Sequence, residues 1–182
     1  MTFEPTPRRF ALMDGMILVA ATGVGLAWNR VSYPDFSTYN YPWLRKWPTL
    51  TPFNLAIWVL VPNFAVWTLT LVLLGLRRPR PSLSEVVRGP GMAGCLAASL
   101  AILYEAAWYI PFKWGHPNGV RPGILILHTV DKVGVAVGGI WLVLAISLLW
   151  SAERHWIDRT GRCLGICWIA ITIALDFRNL IL

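Results

Sequence analysis

The stretch that decides the fold is FNLAIWVLVPNFAVWTLTLVLLGL, residues 53–76. It holds no charged side chain over a length that, at about 1.5 Å per helical residue, exceeds a hydrocarbon core roughly 30 Å thick. Its apolar residues show neither the two-residue alternation of a half-buried strand nor the polar stripe of a surface helix, so a bilayer is the solvent that suits it. Pro62 lies inside the run. A proline removes one backbone donor and crowds the preceding turn, so a bend is expected near Leu60–Asn63, with Asn63 beside the carbonyls released there.

Working outward, the same pattern recurs. Residues 10–28 form an apolar run interrupted only by Asp14, residues 91–110 one interrupted only by Glu105, and residues 124–150 one that is free of charge from Val133 onward. A last run, 163–182, is shorter and broken by Asp176 and Arg178. It is read as a fifth span, the alternative being a helix lying along the interface. The expected architecture is therefore all-α: one polytopic transmembrane helical bundle of four or five spans, forming a single membrane domain over residues 1–182.

Composition agrees. The 182 residues are 56% apolar and 14% charged, against about 25% charged in an ordinary soluble domain, too little to cover a water-exposed surface. The formal net charge of +7 would suggest nucleic acid in a soluble protein. Here the basic residues fall between the apolar runs, where positive loops fix topology and meet anionic lipid, so no nucleic-acid partner is expected. With the N-terminus inside, the cytoplasmic basic residues are Arg8, Arg9, Arg77, Arg78, Arg80, Arg88, Arg154, Arg159 and Arg162, against Arg30, Arg45, Lys46, Lys113 and Arg121 outside. That asymmetry favours a cytoplasmic N-terminus. Arg8 and Arg9 resemble the start of a signal peptide, but the apolar run continues to Trp28 without a convincing cleavage site and is read as a retained span.

The connecting segments carry their own signals. Tyr33, Tyr39, Tyr41, Trp43 and Trp47 suit the headgroup layer, with either a short interfacial helix over Pro42–Trp47 or an irregular loop. Residues 111–122 read as a loop bearing Lys113, Trp114, His116 and Arg121. Glu153, His155 and Asp158 gather in the next loop beside Arg154 and Arg159, where mixed charges on a solvated helix end explain them better than a lipid-headgroup enzyme does. Eleven tryptophans are expected as interfacial anchors for lipid or a partner.

Ionisable and strongly polar residues within spans are the functional candidates, because burying a charge in a membrane is costly. They are Asp14, Asn63, Glu105, His128, Asp131 and Lys132. The trio at 128–132 lies either inside the membrane on one long tilted helix or at headgroup level. His128 and Lys132, one turn apart, share a face, and Glu105 lies at similar depth, so an ion pair between Glu105 and one of these bases is expected. Small residues at Gly91, Gly94 and Ala98, and at Gly134, Gly138 and Gly139, are expected to admit neighbouring helices closely.

No cofactor is expected. His128 is the sole histidine in an apolar stretch, and His116 and His155 belong to segments on opposite sides of the membrane, which disfavours bis-histidine haem ligation. Cys95, Cys163 and Cys167 lack further ligands at metal-site spacing and read as packing residues. Phosphate-binding loops, HExxH and nucleophile elbows are all missing, as is any internal repeat of the transporter kind.

The first segment, FALMDGMILVAATGVGLAW (residues 10–28), resembles the first membrane segment of many uncharacterised multi-pass proteins of planctomycete type, through Asp14, Ile17 to Ala21 and Gly23 to Ala27. The resemblance implies a bacterial inner membrane and transfers no active residue. The function expected from the residues is that of a non-catalytic structural or accessory subunit packing in a membrane complex or homo-oligomer. The alternative is a small transporter or channel component using intramembrane acidic residues.

Overall fold

The computed structural model describes residues 11–32, 51–77, 88–115, 122–147 and 156–181. These form five helices: α1 (Leu12–Ser32), α2 (Thr51–Leu76), α3 (Pro90–Gly115), α4 (Pro122–Ile146) and α5 (Trp156–Ile181). No strand occurs among the described residues. All five helices are long and apolar enough to cross a membrane, and the protein is a multi-pass helical bundle.

Cross-helix contacts fix the directions. Arg77 Nη2 approaches Met13 Sδ at 3.2 Å, and Asn29 Nδ2 donates to the Val59 carbonyl at 2.9 Å, so α1 and α2 are antiparallel. Trp141 Nε1 donates to the Pro90 carbonyl at 2.8 Å, which sets the C-terminal part of α4 beside the start of α3. Gly91 meets the first turns of α5, so α3 and α5 run the same way. The chain thus passes up and down, with the starts of α1, α3 and α5 and the ends of α2 and α4 at one face of the bundle.

The core lies where α2, α3, α4 and α5 meet. Leu71, Cys95, Ala98, Val130, Val133, Val137, Leu164 and Trp168 are buried there. In contrast, α1 packs substantially against α2 alone, and most of its side chains face outward. In a bilayer the apolar exterior is lipid-facing and its hydrophobic exposure is expected. Helix association must then come from close packing and hydrogen bonds, since lipid tails are as apolar as leucine.

Several expected boundaries shift. The fifth run begins at Trp156, not at Cys163, which makes α5 a full-length span and places Asp158, Arg159 and Arg162 on a membrane helix. The two arginines are exposed, whereas Asp158 is buried; a long arginine can carry its charge toward the headgroups while its stem stays in the apolar layer. Likewise α3 continues to Gly115, so Lys113 and Trp114 belong to a helix and not to a loop. α4 is one continuous helix from Pro122 and stops at Ile146, with Trp150 outside the described residues. α2 runs unbroken through Pro62. The aromatic segment with Tyr33, Tyr39, Tyr41, Trp43 and Trp47, and also His116, Arg121, Glu153 and His155, lie outside the described residues.

Candidate functional site

The polar side chains inside the bundle fall into four settings, and most of them hold helices together. The first is the face where α3 and α5 begin. Asp158, in the first turn of α5, accepts a hydrogen bond from the Met92 N–H at 2.9 Å. Met92 is in the first turn of α3, whose leading N–H groups have no partner within their own helix and carry the positive end of the helix dipole. A buried carboxylate on one helix thereby caps the start of another. Its approach needs backbone-to-backbone proximity, which Gly91 supplies: a Cβ there would collide with the Asp158 carbonyl. Across the same crossing, a Cβ on Gly161 would stand 2.8 Å from the Gly91 carbonyl oxygen and 3.0 Å from Cys95 Sγ.

One turn deeper, Trp141 of α4 is wedged between two glycines. A Cβ on Gly94 would come within 3.0 Å of its Nε1, and one on Gly165 within 2.7 Å of its Cζ2. Gly161 and Gly165 form a GxxxG pair on α5, the spacing that keeps two small residues on one face. Asp14 belongs to this end as well. Its Oδ2 accepts from the Ala11 N–H at 3.1 Å, the back-reaching half of a capping box, and its own N–H donates to the Ala11 carbonyl at 2.9 Å. The residue marked in sequence as an intramembrane charge is a buried cap in the first turn of α1.

The second setting pairs indoles with threonines. Trp67 Nε1 donates to Thr22 Oγ1 at 3.0 Å, joining α2 to α1, and Thr22 Oγ1 in turn donates to the Leu18 carbonyl. Trp168 Nε1 donates to Thr68 Oγ1 at 3.1 Å, joining α5 to α2, and Thr68 Oγ1 donates to the Phe64 carbonyl. Phe64 meets Trp168 edge-to-face at 6.0 Å. Each threonine hydroxyl gives its proton back to its own helix and offers its lone pair across the interface. Thr172 behaves differently: its hydroxyl lies 3.0 Å from both the Val130 and Trp168 carbonyls and packs onto Gly134. Trp67, Trp141 and Trp168, expected at the membrane surfaces, are therefore internal connectors.

The third setting surrounds Pro62. Pro62 has no N–H for the Trp58 carbonyl, and one residue on, the Val59 carbonyl receives both Asn63 Nδ2 at 2.7 Å and Asn29 Nδ2 at 2.9 Å. Asn63 thus bonds the carbonyl next to the one that Pro62 leaves without a donor, and it meets α1 as well, with Gly25 pressed against the Asn63 side chain.

The fourth setting is the far half of α3 and α4. Glu105 is buried, whereas His128, Asp131 and Lys132 are exposed. No ion pair joins Glu105 to either His128 or Lys132. The expected pairing fails because the shared face of His128 and Lys132 is turned outward from the bundle while Glu105 points in. Among the expected small-residue contacts, Gly91, Gly94 and Gly134 meet neighbouring helices, and Ala98 is buried in the core. Gly138 and Gly139 do not: no described residue lies within 4 Å of where a Cβ would stand.

Sequence reasoning missed Asp158, Gly161, Gly165, Thr68 and Thr172. The Gly161–Gly165 spacing was a readable signal, hidden by assigning 156–162 to a loop. Among the described residues no three His, Cys, Asp or Glu side chains gather as a metal-binding group. No family model matches the chain, and neither a curated protein nor a solved structure shows significant similarity to it.

Proposed function

We propose that the protein is a non-catalytic structural or accessory subunit of the bacterial inner membrane, packing in a membrane complex or homo-oligomer. The observation that carries this reading is how its polar groups are used. Thr22, Thr68, Thr172, Asn29, Asn63 and Asp158 each bond a neighbouring helix or the carbonyl that a neighbour approaches. Their bonds are spread over four helix pairs, α1–α2, α2–α5, α4–α5 and α3–α5. The N-terminus is assigned to the cytoplasm because the face bearing Arg77, Arg88, Arg159 and Arg162 is the basic one, and basic segments stay inside. The inner-membrane location extends from the resemblance of residues 10–28.

A transporter or channel component is the second reading, favoured by Glu105, a buried acid with no partner among the described residues. Such a route would enlist Asp14, Asn63 and Glu105 together. Asp14 lies in the first turn of α1, eleven residues before the Gly25 that meets Asn63, a rise of roughly 16 Å, on a helix that packs mainly against α2, which weakens that reading.

Purification of the native protein in a mild detergent, with mass spectrometry and mass determination of the same peak, tests the proposal. A stoichiometric partner or a homo-oligomer is expected. A lone monomer, together with proton flux in liposomes that Glu105→Gln abolishes, would replace it with the transporter reading.

A further inference from the structure

Two independent features meet on the outward side of α4. Asp131 and Lys132 are exposed, lie within the apolar window His128–Ile146, and make no hydrogen bond or ion pair with another described residue. About 20 helical residues cross the hydrocarbon layer, and counting back from Ile146 places both charges roughly a turn inside it. Lysine can reach toward the headgroups, but aspartate is too short to do so. Ionisable side chains at such depth ordinarily face protein or pair with one another.

The second feature is open backbone. On α4, Gly134 is filled by Thr172 of α5, whereas a Cβ on Gly138 or Gly139 would meet no described residue within 4 Å. Glycine inside a helix costs about 1 kcal/mol against alanine, and close approach of another helix is what offsets it. None of the described helices approaches there. Lys132, Val135, Gly139, Leu142 and Ile146 are all exposed, and their 3, 4, 3, 4 spacing is that of a helix–helix seam.

We propose that this face binds a second copy of the chain, α4 against α4. The inference rests on the subunit reading above and specifies its homo-oligomeric form. Copies inserted in one orientation are related by a two-fold axis along the membrane normal, so their α4 helices run parallel and the same patch serves both. Gly139 lies near the axis and meets its own counterpart. The patch holds one acid and one base side by side, which makes it self-complementary: Asp131 of each copy faces Lys132 of the other, giving two cross-pairs and no net charge. A partner of a single charge sign would leave one of the two residues unmatched, so the neutral pair points to a second copy.

The test uses the full chain in native membranes with Cys95→Ala, Cys163→Ala and Cys167→Ala as background. Gly139→Cys should form a disulfide-linked dimer on mild oxidation, while Leu103→Cys, on the exposed side of α3, should not. Asp131→Lys or Lys132→Asp alone should lower the dimer fraction measured by energy transfer at least tenfold, and the double reversal should restore it. Restoration cannot be explained by misfolding of the single variants. No cross-link at position 139, or a double reversal no better than the singles, overturns the proposal. A complex with a different protein through another face overturns it while leaving the subunit reading intact; a partnerless monomer overturns both.

Discussion

Replacing Asp158 with alanine should loosen the union of α3 and α5 at its tightest point. The carboxylate is buried and accepts the Met92 N–H at 2.9 Å. Removing it leaves an N–H in the first turn of α3 with no acceptor, in a place where water cannot readily substitute. Losing a hydrogen bond to a charged group costs about 1.5–3 kcal/mol, and losing a helix cap alone costs about 0.5–2 kcal/mol. These describe the same bond and do not add, so a loss of about 2–3 kcal/mol is expected for Asp158→Ala. Asparagine keeps an acceptor oxygen of the same reach and gives up the charge, whose interaction with the helix dipole is worth up to about 2 kcal/mol when partly buried. Asp158→Asn should therefore lose roughly half as much. Reversible unfolding in mixed micelles, titrated with a denaturing detergent, measures both. An alanine variant within about 0.5 kcal/mol of the wild type, the range of an ordinary surface change, would refute the capping argument. So would an asparagine variant as damaged as the alanine one.

Two other outcomes follow from the same reasoning. Gly161→Ala should destabilise by about 1–3 kcal/mol, the usual range for overpacking, because the new methyl meets the backbone of Gly91; Gly23→Ala, which meets nothing within 4 Å, should be neutral or slightly stabilising in the same unfolding assay. A double-mutant cycle of Trp168→Phe and Thr68→Val should give a coupling of about 0.6 kcal/mol, the average for hydrogen bonds between membrane helices, whereas purely additive effects would mean that their 3.1 Å contact contributes nothing.

The class of fold was legible because one property, the length of charge-free runs, is decided by the solvent and not by neighbouring helices. Residues 53–76 show that with no structural help. Asn63 was legible only in part: Pro62 beside it withholds an N–H whatever surrounds it, but the meeting with Asn29 over the Val59 carbonyl depends on α1. Asp158 was not. A charge near a helix start reads as solvated unless one knows that the start of α3 lies against it, and that depends on Gly91 and Gly161 meeting across sixty-nine intervening residues. The tryptophans misled in the same manner: an indole suits the headgroup layer by default, and only the positions of Thr22 and Thr68 reveal that Trp67 and Trp168 are turned inward. Glu105 is buried while His128 and Lys132 on the neighbouring helix are exposed, and direction around a helix is fixed by packing that a list of apolar residues does not encode.

The attachment of α1 mainly through α2, among the described helices, has a consequence for how the molecule comes apart. Detaching α1 breaks the Trp67–Thr22 and Asn29–Val59 bonds and leaves the glycine-lined crossings of the other four helices untouched. Its opening is therefore a local event, with a free energy well below that of global unfolding. The amide hydrogens of α1 should accordingly exchange as a group, earlier than those of α3 and α5. In that sense the bundle is a four-helix body with a hinged fifth member, and the two can respond separately to strain in the surrounding bilayer.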